Sequence, residues 1–182
     1  MTTTENIATW SDHERIVFQD THFDQIDLFD AKKPSADNSN DFNTELVFRN
    51  CTIGSFQAAT LLLGKHVTFE NCSIGFLSCF ATYFFGGLRI ENCVVKEESS
   101  FDSGVHNLDP HAFEIIGSTF EGFVEFFDVL FLGPVNISRN QFKAGTNLLR
   151  YLKVPYGIAE GIPCVTEGNV GEMEIRRGHD IA

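Results

Sequence analysis

The residues best able to do chemistry lie close together in one stretch, Phe101 to Ala112, which reads FDSGVHNLDPHA. It carries Asp102, His106, Asp109 and His111. Two imidazoles and two carboxylates within ten residues supply the donor types that hold zinc or another divalent ion, and an open coordination position on such an ion activates water. The HxxDxH order matches no metal-binding spacing of known mechanism. Gly104, Asn107 and the Asp109-Pro110 step also mark the stretch as a loop, and loops are rich in Asp, Asn and His without any ligand. The four residues are therefore a candidate binding loop; no residue is assigned as catalytic, and no metal or cofactor is assigned.

Other reactive side chains have simpler readings. Cys51, Cys72 and Cys93 recur at a fixed interval of 21 residues. That is not the CxxC spacing of a thiolate metal site, and an inward-facing cysteine behaves as a small hydrophobe. Glu125 and Asp128 form a carboxylate pair of the kind that serves glycoside cleavage, but they fall between inward positions and are expected to face solvent. His13, His22, His66 and His179 have no local partner pattern. No P-loop, strand-linked GxGxxG, HExxH or GxSxG is present.

The elements that must position these residues are read from the same interval. Leu46 to Val95 contains LVFRNCTI, VTFENCSI and LRIENCVV, so Phe48, Phe69 and Ile90 stand 21 residues apart, as do Asn50, Asn71 and Asn92. Weaker copies give frame starts at 18, 48, 69, 90, 115, 137 and 165. Each copy alternates over a few positions and then breaks, which is strand periodicity, and a fixed period of this length marks a repeat architecture. Stacked at about 4.8 Å per coil, seven starts make a rod roughly 30 Å long. Phe then lies on Phe, Cys on Cys and Asn on Asn, so Phe48, Cys51, Phe69, Cys72, Ile90 and Cys93 are core columns, with an Asn ladder at the corner.

A finer period lies within each coil. Phe120, Phe126, Phe131, Ile137, Phe142 and Leu148 follow steps of six and five, each with a smaller residue two positions earlier: Ser118, Val124, Val129, Val135, Asn140 and Thr146. Residues two apart in a strand point to one side, so each face gives one small and one large residue to the interior before turning. Four such faces use 20 to 22 residues and close a coil.

The segment FEGFVEFFDVLFLGPVNISRNQF resembles the pentapeptide-repeat proteins, in the variant where Phe recurs at alternating six- and five-residue steps. The resemblance covers Ile16 to Leu148. It implies an all-β, single-domain, right-handed parallel β-helix (solenoid) of about six to seven coils of 21–22 residues, four-sided. A three-sided coil is the alternative, because FxNCxI lines occur there too. The family shares no catalytic residues, so the resemblance transfers none. Some of its members resemble duplex DNA in width and charge and occupy the DNA site of DNA gyrase, which implies a DNA-mimic role as one candidate.

Composition bounds the rest. The chain has 182 residues, 19 of them Phe, and a net charge of -12, enough for one domain with a sizeable core. The acidity argues against direct nucleic-acid binding and favours a basic partner. Residues 1–45 hold 10 acids and 3 bases, and the remainder 15 and 10. The N-terminus lacks a signal-peptide pattern, and the longest apolar patch, Phe76 to Leu88, is too interrupted to span a membrane. With five cysteines, an odd count, a reducing cytoplasmic location is expected.

Residues 1–15 are expected to form an N-terminal cap, 16–148 the coils, and 149–182 an irregular last coil and C-terminal cap, with Arg176, Arg177 and His179 in the tail. Ala31 to Asp41 reads as an extruded loop. The leading functional expectation is a non-catalytic binding protein that presents an acidic rigid surface to a protein partner. The alternatives are a carbohydrate-directed enzyme or binder using the His106 to His111 loop, and a self-assembling solenoid, with a homodimer through one rod end as a further possibility. Acidic columns on successive coils are the feature that would support a DNA mimic.

Overall fold

The computed structural model of the protein describes residues 7–31, 40–153 and 157–176. Its strands are short because each coil side carries only two inward positions before a corner. Equivalent strands of successive coils stack in parallel. Seven of them form one face: Arg15–Gln19, Glu45–Arg49, Val67–Glu70, Leu88–Glu91, Phe113–Ile116, Val135–Ser138 and Cys164–Val165. Phe18 pairs with Phe48, Phe48 with Phe69, Phe69 with Ile90, Ile90 with Ile115 and Ile115 with Ile137. The frame starts from 18 to 137 are thus in register, including the first interval, where an insertion separates the coils.

The coil has four sides and is right-handed. Call the seven-strand stack face one. In the early coils, His22–Asp27, Thr52–Gln57 and Ser73–Ser78 run unbroken over faces two and three; later coils split them, beginning with Val94–Val95 and Ser99–Ser100. Gly75 lies midway along such a strand because a Cβ there would meet the Gly54 carbonyl oxygen at 2.2 Å. Face four holds Asp41–Phe42, Leu62–Leu63, Val105–Leu108 and Leu130–Leu132, with Tyr83 bridging Leu62 and Val105.

The solenoid makes about five turns, fewer than the six to seven expected, because the end coils are incomplete. A short helix, Leu28–Ala31, interrupts the first, and another, Leu148–Leu152, interrupts the last. The last frame is also displaced by one residue. Val165 pairs with Asn136 rather than Ile137, and Val170 with Gln141. Most of the Ala31 to Asp41 loop, at 32–39, lies outside the described residues, as do Arg177 and His179 in the tail.

The interior is a stack of aromatic rings. Phe48 lies 5.2 Å from Phe18 and 5.1 Å from Phe69, nearly parallel to both. Phe101 stacks on Phe126 at 5.2 Å, and Phe120 on Phe142 at 5.4 Å. Every large and small member of the six-and-five series from Ser118 to Leu148 is buried. At the N-terminal end a 3-10 helix, Ile7–Asp12, sets Trp10 over the first coil, 4.8 Å from Phe18. Thr44 fastens it by donating to the carbonyls of Trp10 and His13.

The corner between faces one and two explains the Asn column. Asn50, Asn71 and Asn92 have φ of 52°, 54° and 52°, the left-handed conformation that Asn tolerates better than most residues. Their amides also link coils: Asn50 donates to Asp20 at 3.0 Å and Asn71 to Asn50 at 3.4 Å.

Candidate functional site

The 102–111 stretch is held by a strained backbone. Four residues of Val105–Leu108 oppose three of Leu130–Leu132, a bulge in face four. Val105 has φ 78° and His106 φ 42°; for a β-branched residue such as Val105 this is a costly conformation. A bulge re-aims a side chain. Here it turns His106 outward onto Tyr83, with ring centroids 4.1 Å apart and planes within 8°. Partial burial lowers the His106 pKa, against a weaker upward pull from Asp128.

The other candidates go elsewhere. Asp102 sits at a turn and accepts from Ser103 Oγ at 2.8 Å. Asp109 and His111 are exposed. Asn107 is buried and fixes the loop: its Nδ2 donates to the carbonyls of His111 at 2.9 Å and Pro134 at 3.0 Å. The structure therefore pairs His106 with Tyr83 and sends His111 to the corner with face one. Among the described residues, no three His, Cys, Asp or Glu side chains are arranged to hold a metal ion.

That corner holds a residue with no local pattern in the sequence. His66 and His111 line a groove of about 310 Å³ together with Glu45, Gly64, Lys65 and Gly86. A neighbouring hollow of about 360 Å³ shares Glu45 and Lys65 and adds Glu14 and Arg15. His66 Nδ1 lies 2.9 Å from the Gly86 carbonyl oxygen. The signal was present in the repeat: Glu45 and His66 stand 21 apart, one position before the paired Leu46 and Val67.

Around the outward His106 ring, the exterior of face four is apolar. Leu62, Tyr83, Phe85, Leu130 and Leu132 are half-buried, and Leu108 is 42% exposed, while Leu63, Phe84, Asn107 and Phe131 between them point inward. Tyr83 and Phe85 lie 5.8 Å apart. Phe80, 45% exposed, extends the strip at the corner with face three.

Face one shows the opposite chemistry. Arg49 binds Glu70 at 2.7 Å, and Arg89 binds Glu91 at 2.8 Å and Glu114 at 2.7 Å. Arg15 binds Glu45 at 3.2 Å. Arginines share these columns with the acids, as in Arg49, Glu70 and Glu91 or Arg89 and Glu114, so the outward columns of this face are not uniform acidic stripes. Glu125 does not face solvent as expected. It is 9% exposed and accepts from Asn147 of the next coil, whereas Asp128 is exposed.

No described helix is long and apolar enough to cross a membrane. No protein-family model, curated protein or solved structure matches the chain.

Proposed function

We propose that this protein is a non-catalytic interaction module that engages a protein partner through face four. The supporting observation is the cluster of outward apolar side chains on face four, Leu62, Tyr83, Phe85, Leu108, Leu130 and Leu132, with the His106 ring lying on Tyr83, on a chain of net charge -12. Contiguous apolar surface on an otherwise charged protein marks an interaction site. The rigid coil supports the strip at a fixed spacing, so it needs little ordering on binding. The partner that fits has an apolar centre and a basic rim, the rim answering the overall acidity.

A reducing cytoplasmic setting is consistent with this role, since all five cysteines are free. The four-sided, right-handed coil supports the likeness to pentapeptide-repeat proteins. The duplex-mimic role draws less support, because the acids of face one are bound to arginines.

The test is quantitative capture from cell extract with the wild-type chain, a Leu108→Lys/Leu132→Lys variant and an Arg49→Glu variant, each checked for native circular dichroism. Proteins bound through face four are retained by wild type and Arg49→Glu and lost with the lysine pair. Equal capture by all three chains would overturn the proposal.

A further inference from the structure

The corner groove between faces one and four has chemistry that the apolar strip does not use, and we propose that it binds a neutral saccharide. In register, the corner runs from Arg15 through Glu45 and His66 to Gly87 and then Ala112 beside His111. Four coil steps at about 4.8 Å span roughly 19 Å, which suits an extended ligand.

Gly86 and Gly87 let successive coils approach closely beneath this corner. A Cβ on Gly86 would come within 2.4 Å of the Lys65 carbonyl carbon, and one on Gly87 within 2.8 Å of His66 Nδ1. The polar groups are mixed in kind. Lys65 only donates, and an ionised Glu45 only accepts. The Gly86 carbonyl can only accept, so His66 Nδ1 carries a proton and donates to it, which leaves Nε2 as the ring's other polar atom. An anion would meet Glu14 and Glu45, and a cation would meet Lys65 and Arg15. A hydroxyl both donates and accepts, so a neutral polyol satisfies each group without an unpaired charge.

The purified full chain should be applied to a panel of immobilised neutral and uronate-containing tri- and tetrasaccharides, in parallel with His111→Ala, Lys65→Ala and a Val94→Ala control on face two. His111 and Lys65 are exposed, so both variants should keep the fold. Wild type and Val94→Ala should retain at least one neutral saccharide. Each groove variant should weaken that binding about fivefold or more, as loss of one hydrogen bond implies. Retention of no saccharide, retention of uronates alone, or equal binding by all variants would overturn the proposal.

Discussion

The backbone N–H of Cys93 donates to Ser118 Oγ of the following coil at 3.0 Å. This contact is one rung of a column. The Cys72 N–H donates to Cys93 Sγ at 3.3 Å, the Ser118 N–H to Asn140 Oδ1 at 2.9 Å, and the Asn140 N–H to Asn169 Oδ1 at 2.9 Å. The same side chains donate back: Cys93 to the Phe69 carbonyl at 3.5 Å, Ser118 to Ile90 at 3.4 Å, Asn140 to Ile115 at 2.7 Å and Asn169 to Ile137 at 2.7 Å. Each corner after a left-handed residue frees backbone groups that the sheet ladder does not pair, and an unpaired buried group is costly. The small column is thus a set of corner caps as well as a packing element.

Asn140→Leu should therefore be severe despite similar size. It orphans the Ser118 N–H and the Ile115 carbonyl, at about 1–3 kcal/mol each, so the loss should be roughly 2–6 kcal/mol. Urea unfolding monitored by circular dichroism measures it. A loss below about 1 kcal/mol would show that the column is only packing.

Phe48→Ala removes a ring in contact with Trp10, Phe18, Phe23, Phe56 and Phe69. The expected cost is about 3–5 kcal/mol, in the same urea assay. Val17→Ala, at a site 45% exposed, should stay within about 0.5 kcal/mol.

His106 predicts a pH dependence. Burial lowers its pKa in the folded chain, so the unfolded chain takes up the proton first as pH falls. Its contribution to stability is present above the unfolded pKa of about 6.5 and declines as pH drops from there through the lower folded value. The thermal midpoint should fall further between pH 7.5 and pH 5 in wild type than in His106→Phe, which keeps the stack on Tyr83 without a titrating group. Identical pH profiles would remove His106 as a source.

Thiol accessibility checks the cysteine column. Cys51, Cys72, Cys79 and Cys93 are buried and Cys164 is exposed. Burial raises the Cys79 thiol pKa strongly, and partial burial of the sulfur also raises that of Cys164, which slows an otherwise open thiol. An alkylating reagent should modify Cys164 alone, and slowly, in the folded chain, and all five cysteines in denaturant. Rapid labelling of Cys72 or Cys93 in the native protein would contradict the ladder.

The interior was legible because the 21-residue interval and the two-residue alternation both point inward at the same places. Phe18, Phe48, Phe69, Ile90, Ile115 and Ile137 align as read. The last frame slipped because Val165 and Val170 offered an apolar match. The column needs a donor and acceptor there, so Asn169 takes the place, and the two valines are 41% and 66% exposed. Glu125 was misplaced because alternation cannot show that Asn147 of the next coil would cover it. The face-four strip was hidden for a related reason: in TLLLG, TYFFG and VLFLG both phases of the alternation are apolar, so inside and outside look alike. The groove required placing the His111 turn beside His66, which depends on the insertion in that coil rather than on the repeat.

The most direct test of the central claim is site-specific photo-crosslinking in cells, with a photoreactive residue at Leu108 on face four or at Val94 on face two. Both positions are exposed, at 42% and 39%, so accessibility alone does not separate them. A discrete higher-mass product from position 108 and none from position 94 is the predicted result. No product from 108, or the same product from both, would contradict face four as the binding surface.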